Sequence, residues 1–113
     1  MSGRNVWVKS GSTRDIMVDK TTTGAGSAHF KDSPHATFQA TVTGTGAVTA
    51  TVDIEVSNDG TNWADTAAGT ITLSGTTTHS DGFTTTNAPW KYVRANVTAI
   101  SGTGASVDVV MGV

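Results

Sequence analysis

The chain has no cysteine. That excludes disulfide frameworks and thiolate chemistry, and it makes folding independent of the redox compartment. An apolar run of about 7 to 15 residues near Met1 is also missing, and no longer one follows, so neither a secretory leader nor a membrane-spanning segment is expected. Large apolar side chains are scarce: Leu, Ile, Val and Phe supply 21 of 113 residues. So low a fraction goes with disorder when net charge is high, but here the net charge is only −2. Histidine is confined to His29, His35 and His79, which lack the ligand spacing of a zinc site. No Gly-x-Ser-x-Gly elbow occurs, and no stretch of 11 residues carries a helical apolar stripe.

Thr (22 residues) and Gly (13) are abundant. Strand formers and turn formers are therefore plentiful while bulky core residues are few, which indicates a folded β domain with a thin core. A monomer of that kind is marginal, and a partner surface would help it.

Charge is distributed unevenly. Residues 1–31 hold Arg4, Lys9, Arg14, Lys20 and Lys31 against Asp15 and Asp19, a sum of +3. Residues 32–113 hold Lys91 and Arg94 against Asp32, Asp53, Glu55, Asp59, Asp65, Asp81 and Asp108, a sum of −5. The first segment is punctuated by Gly and Ser and has two short apolar runs, Val6-Trp7-Val8 and Ile16-Met17-Val18. It reads as an extended N-terminal arm with short strands, residues 1–33, reaching over a neighbour. The alternative is an edge strand folded back on its own acidic body.

From His35 onward the apolar period is two. Phe38, Ala40 and Val42 share one face, and Val48, Ala50, Val52, Ile54 and Val56 share the next. Gly44-Thr45-Gly46 between them reads as a hairpin turn. Asn58-Asp59-Gly60 supplies another tight turn, followed by Trp63. Ile71 and Leu73 mark a short strand ended by Ser74-Gly75. Val93, Ala95, Val97 and Ala99 then face Ala105, Val107, Val109 and Met111 across a second turn at Gly102-Thr103-Gly104. About eight short strands at this spacing indicate an all-β chain, an antiparallel β sandwich over residues 34–113, jelly-roll-like in its commonest eight-strand form.

Asp53 and Glu55 fall on the polar face of a strand, Asp59 and Asp81 in turns, the usual solvated arrangement, so no catalytic carboxylate pair stands out. No enzymatic activity, cofactor or metal is expected. Trp63, His79, Phe83 and Trp90 lie near strand ends, where loops are displayed; they read as plugs of the core ends or as a loop surface for a glycan or a protein. An acidic body and only five cations in the leading segment argue against a nucleic-acid partner.

The order Ser57-Asn58-Asp59-Gly60-Thr61-Asn62-Trp63, then Trp90-Lys91-Tyr92-Val93-Arg94 and a closing Gly102-Thr103-Gly104 segment, resembles small virion structural proteins of tailed bacteriophages and prophages, over about residues 36–113. The resemblance implies a capsid decoration or cement protein, made in the host cytoplasm and bound to the outside of the major capsid protein lattice as a dimer or trimer. Arg4, Trp7, Lys9, Arg14, Ile16, Lys20 and Phe30 are the expected contacts to capsid or to a second subunit. The same Ser57 to Trp63 turn and the Lys91 to Arg94 strand also resemble part of discoidin-type carbohydrate-binding domains. On that alternative Trp63, His79, Phe83 and Trp90 would meet a glycan on a virion appendage. A neck or tail completion protein is the third expectation.

Overall fold

Period-two alternation and abundant Thr and Val give a chain built from strands. The computed structural model describes residues 12–113, and of residues 65–67 the backbone alone. Among these residues six strands form one antiparallel sheet: β1 (Thr13–Lys20), β2 (Gly24–Ala25), β3 (His29–Phe30), β4 (Ala36–Ser57), β5 (Ala64–Thr85) and β6 (Tyr92–Gly112). β4 is central, paired along its length with β5 on one side and β6 on the other. The other edge of β6 takes β1, β2 and β3 in turn, from Thr13 against Gly112 down to Phe30 against Tyr92.

The alternating faces fall where the sequence puts them. Phe38, Ala40, Val42, Val48, Ala50, Val52, Ile54 and Val56 of β4 are buried together with Val93, Ala95, Val97, Ala105, Val107, Val109 and Met111 of β6. Ala99 departs from this pattern and is exposed. Thr51 pairs with Ala99 but Val52 with Val97, so Thr98 is an extra residue; this bulge reverses the phase and turns Ala99 outward.

The expected hairpins at Gly44-Thr45-Gly46 and Gly102-Thr103-Gly104 do not form, nor does a strand end at Ser74-Gly75. All three sites lie inside long strands of 22, 21 and 22 residues. The chain does not reverse there because both flanks of each site pair with the same neighbours. Register shifts instead fall at one level across the sheet, between Thr43 and Ala47 against β5 and between Thr43 and Thr49 against β6. A straight strand of 22 residues would reach about 73 Å. The longest dimension of the molecule is 38 Å, so the long strands bend at that level. Gly102, with φ of +122°, passes so close to β4 that a Cβ there would sit 2.6 Å from the Ala47 carbonyl oxygen. In β5 the bend falls on Thr77, a β-branched residue held at φ of 67°.

Residues 13–30, the described part of the segment expected as an arm, thus run along β6 within the sheet, and Ile16 and Met17 enter the core. At the strand ends, residues 31–35 lead into β4 and residues 86–91 lead into β6. The two connections are tied by Lys31 N–H to the Lys91 carbonyl (2.7 Å) and Ala88 N–H to the Pro34 carbonyl (2.9 Å).

Candidate functional site

The turn after β4 is ordered by its own side chains. Ser57 Oγ accepts from Gly60 N–H (2.9 Å) and donates to the Asn62 carbonyl (2.6 Å). Asp59 Oδ1 accepts from the backbone N–H groups of Thr61 and Asn62, each at 2.8 Å. Those donors, Asn62 first, hold the Asp59 carboxyl far below the usual carboxylate range. So fixed, the turn sets Trp63 against β6, where the guanidinium carbon of Arg94 lies 4.4 Å from the centre of the indole ring.

Arg94 also donates from Nε to Glu55 Oε1 (2.6 Å), and Asn96 Nδ2 donates to Glu55 Oε2 (2.9 Å). Glu55 and Arg94 are directly opposite in the ladder between β4 and β6, which is why the pair meets. The sequence reading left Glu55 as a solvated face residue; it is buried, 3% exposed. Beside this cluster Tyr92 packs edge-on against Phe30, ring centres 5.8 Å apart, and Phe30 remains 58% exposed.

A second cluster lies between the two crossing connections. The Lys31 side chain is buried, 3% exposed, and its ammonium donates to the carbonyls of Ser33 and of Ala88, the latter at 2.7 Å. Burial first, then the Lys91 charge, push the Lys31 ammonium below the usual lysine range. Lys31, Asp32, Ser33, Pro34, Pro89, Trp90 and Lys91 line a half-open cavity of about 150 Å³. Lys91 N–H reaches Asn58 Oδ1 (3.2 Å), which links this cavity to the Ser57–Trp63 turn.

Among the expected contact residues, Arg4, Trp7 and Lys9 lie outside the described residues. Ile16 is buried in the chain's own core, where it presents no surface to a partner, while Arg14 and Lys20 are half-buried on β1. Phe30 is exposed on β3. Val18, 62% exposed on β1, escaped the sequence reading because it sits in an apolar triplet whose other two members point inward.

The four loop-surface residues are engaged separately. Trp63 lies on Arg94 and Trp90 lines the Lys31 cavity. Phe83 packs on Phe38 at 5.4 Å, and His79 Nδ1 accepts from Ser74 N–H (3.0 Å) across the β5 bend. No group of three or more His, Asp or Glu side chains placed to hold a metal occurs among the described residues. Among the described residues no helix is long and apolar enough to cross a membrane. Comparison with known proteins found no matching family model, no matching curated protein and no matching solved structure.

Proposed function

We propose that this chain is a virion structural protein of the capsid decoration or cement type, which acts by adhering to neighbours on the outside of the major capsid lattice. The observation that carries this reading is the edge of β5. Over Ala64–Thr85 the strand pairs with β4 alone, and it contains no Lys, Arg or Pro. A row of backbone donors and acceptors is left for another chain, with Asp65 and Asp81 the strand's two charged residues. The opposite edge is more heavily guarded. β1 carries four charged residues, Arg14, Asp15, Asp19 and Lys20, within a strand of 8 residues. An asymmetry of that kind suits a protein that joins an assembly through one side by strand addition.

In this reading the long sheet doubles over at its bends into two layers, the sandwich of jelly-roll-like kind expected from the strand pattern. The exposed Phe30 and Val18, with the cationic segment that includes Arg4, Trp7 and Lys9, add contacts to capsid protein or to a second subunit of a dimer or trimer. Many weak sites repeated over a lattice multiply into firm attachment. Quantitative mass spectrometry of purified particles tests the assignment. Copies in proportion to the major capsid protein are expected; a few copies per particle would mean a neck or tail component instead, and absence from particles overturns the reading.

A further inference from the structure

We infer that the cavity between residues 31–34 and 89–91 is a carboxylate-binding site, which takes an acidic side chain of a partner polypeptide. The Lys31 ammonium has three N–H donors, and two of them go to the carbonyls of Ser33 and Ala88. Those carbonyls satisfy hydrogen bonds but bring no net negative charge. The one ion pair among the described residues joins Arg94 to Glu55, so no carboxylate pairs with Lys31, and Asp32 lines the cavity without reaching either lysine. An ammonium buried in this way is normally matched by a counter-charge.

The rest of the lining completes a receptor. Lys91 adds a second positive charge near enough to weigh on Lys31. Pro34, Pro89 and the side chain of Trp90 add apolar walls beside the two charges, against which the methylenes of an acidic side chain can pack. At about 150 Å³ the cavity is below the roughly 300–1,000 Å³ of sites for whole small molecules. It fits a single functional group on a short stem, as in Glu, and not a pyranose ring. The backbone bonds between Lys31 and Lys91 and between Ala88 and Pro34 hold both walls in place before any ligand arrives.

The inference names a partner chemistry for the assembly reading, but its test uses free probes and stands or falls apart from where the chain resides. Two-dimensional NMR of the full chain would follow the Trp90 indole N–H and the Lys31 side chain. The titrants are N-acetylglutamate, its neutral analogue N-acetylglutamine and glucuronate, at constant ionic strength. Saturable shifts with N-acetylglutamate, none with N-acetylglutamine, and binding weakened about fivefold in Lys91→Gln are expected, the upper end for an exposed ion pair. Lys91 is exposed, so that variant keeps the test valid even where Lys31→Met fails to fold. Equal shifts from both amino-acid probes, no saturation, or unchanged affinity in Lys91→Gln overturns the site. Binding of glucuronate without N-acetylglutamate overturns the polypeptide partner.

Discussion

Glu55 and Arg94 face each other across the ladder between β4 and β6, with Nε 2.6 Å from Oε1, and the carboxylate is almost wholly out of water. Removing the partner of a buried charge is far more damaging than removing both. Arg94→Ala is therefore expected to destabilise the fold by roughly 3 kcal/mol, the low end for such a loss, because Arg94 itself is partly exposed. The double variant Glu55→Gln, Arg94→Ala should recover part of that. Urea denaturation of the wild type, Arg94→Ala, Glu55→Gln and the double variant measures the coupling; additive effects would show that the pair does not act as one.

The bends make a contrasting pair of glycine predictions. Gly46, at φ of +73°, opens into free space, whereas a Cβ on Gly102 meets the Ala47 carbonyl and the Val48 side chain. Gly46→Ala is expected to cost about 1 kcal/mol, from backbone strain alone. Gly102→Ala adds a steric clash to the strain and is expected to cost clearly more, about 3 kcal/mol. Thermal unfolding of both variants checks the order. Equal losses would mean that strand β6 does not pass β4 as closely as described.

Acid should loosen the fold through His29. Burial first, and then the Arg14 charge, lower its pKa below 6.5, against an opposing bond with the Ile16 backbone. Between the lowered value and 6.5 the unfolded chain takes up a proton that the folded chain does not. Stability on this account rises with pH in that window, falls as pH drops through 6.5 and levels off below the folded value. His29→Gln should flatten the slope. A slope unchanged by that substitution would assign the acid sensitivity to other groups.

The inward faces of β4 and β6 were legible in the sequence because a half-buried strand writes its burial as period two, as Phe38 to Val42 and Val48 to Ile54 do on either side of Gly44-Thr45-Gly46. The bends were not. Gly44-Thr45-Gly46 and Gly102-Thr103-Gly104 satisfy a hairpin turn and a mid-strand bend equally well locally, and only the pairing of both flanks with the same neighbours decides between them. Ala99 was misplaced for a related reason, since the one-residue bulge at Thr98 depends on the register against Thr51. Of the candidate site, Trp63 stood out through its position after a turn, whereas the burial of Glu55 follows from Arg94 and Asn96, which lie 39 and 41 residues away. Lys31 read as one more cation of the leading segment. Its burial depends on the crossing of residues 86–91, which no local pattern around Phe30-Lys31-Asp32 records.

Adhesion through the lightly guarded β5 edge is the centre of the functional proposal, and added lysines on that edge should abolish it. Thr72 and Ser80 are exposed on β5, so Thr72→Lys with Ser80→Lys should cost no more than about 1 kcal/mol, chiefly the lost hydrogen bond between Ser80 and Thr41. The most direct measurement is sedimentation velocity of the wild type and this double variant over a micromolar to millimolar series. Association of the wild type that deepens with concentration and is lost in the variant is the expected result. A wild-type chain that stays monomeric throughout, or a variant that associates equally well, would contradict it.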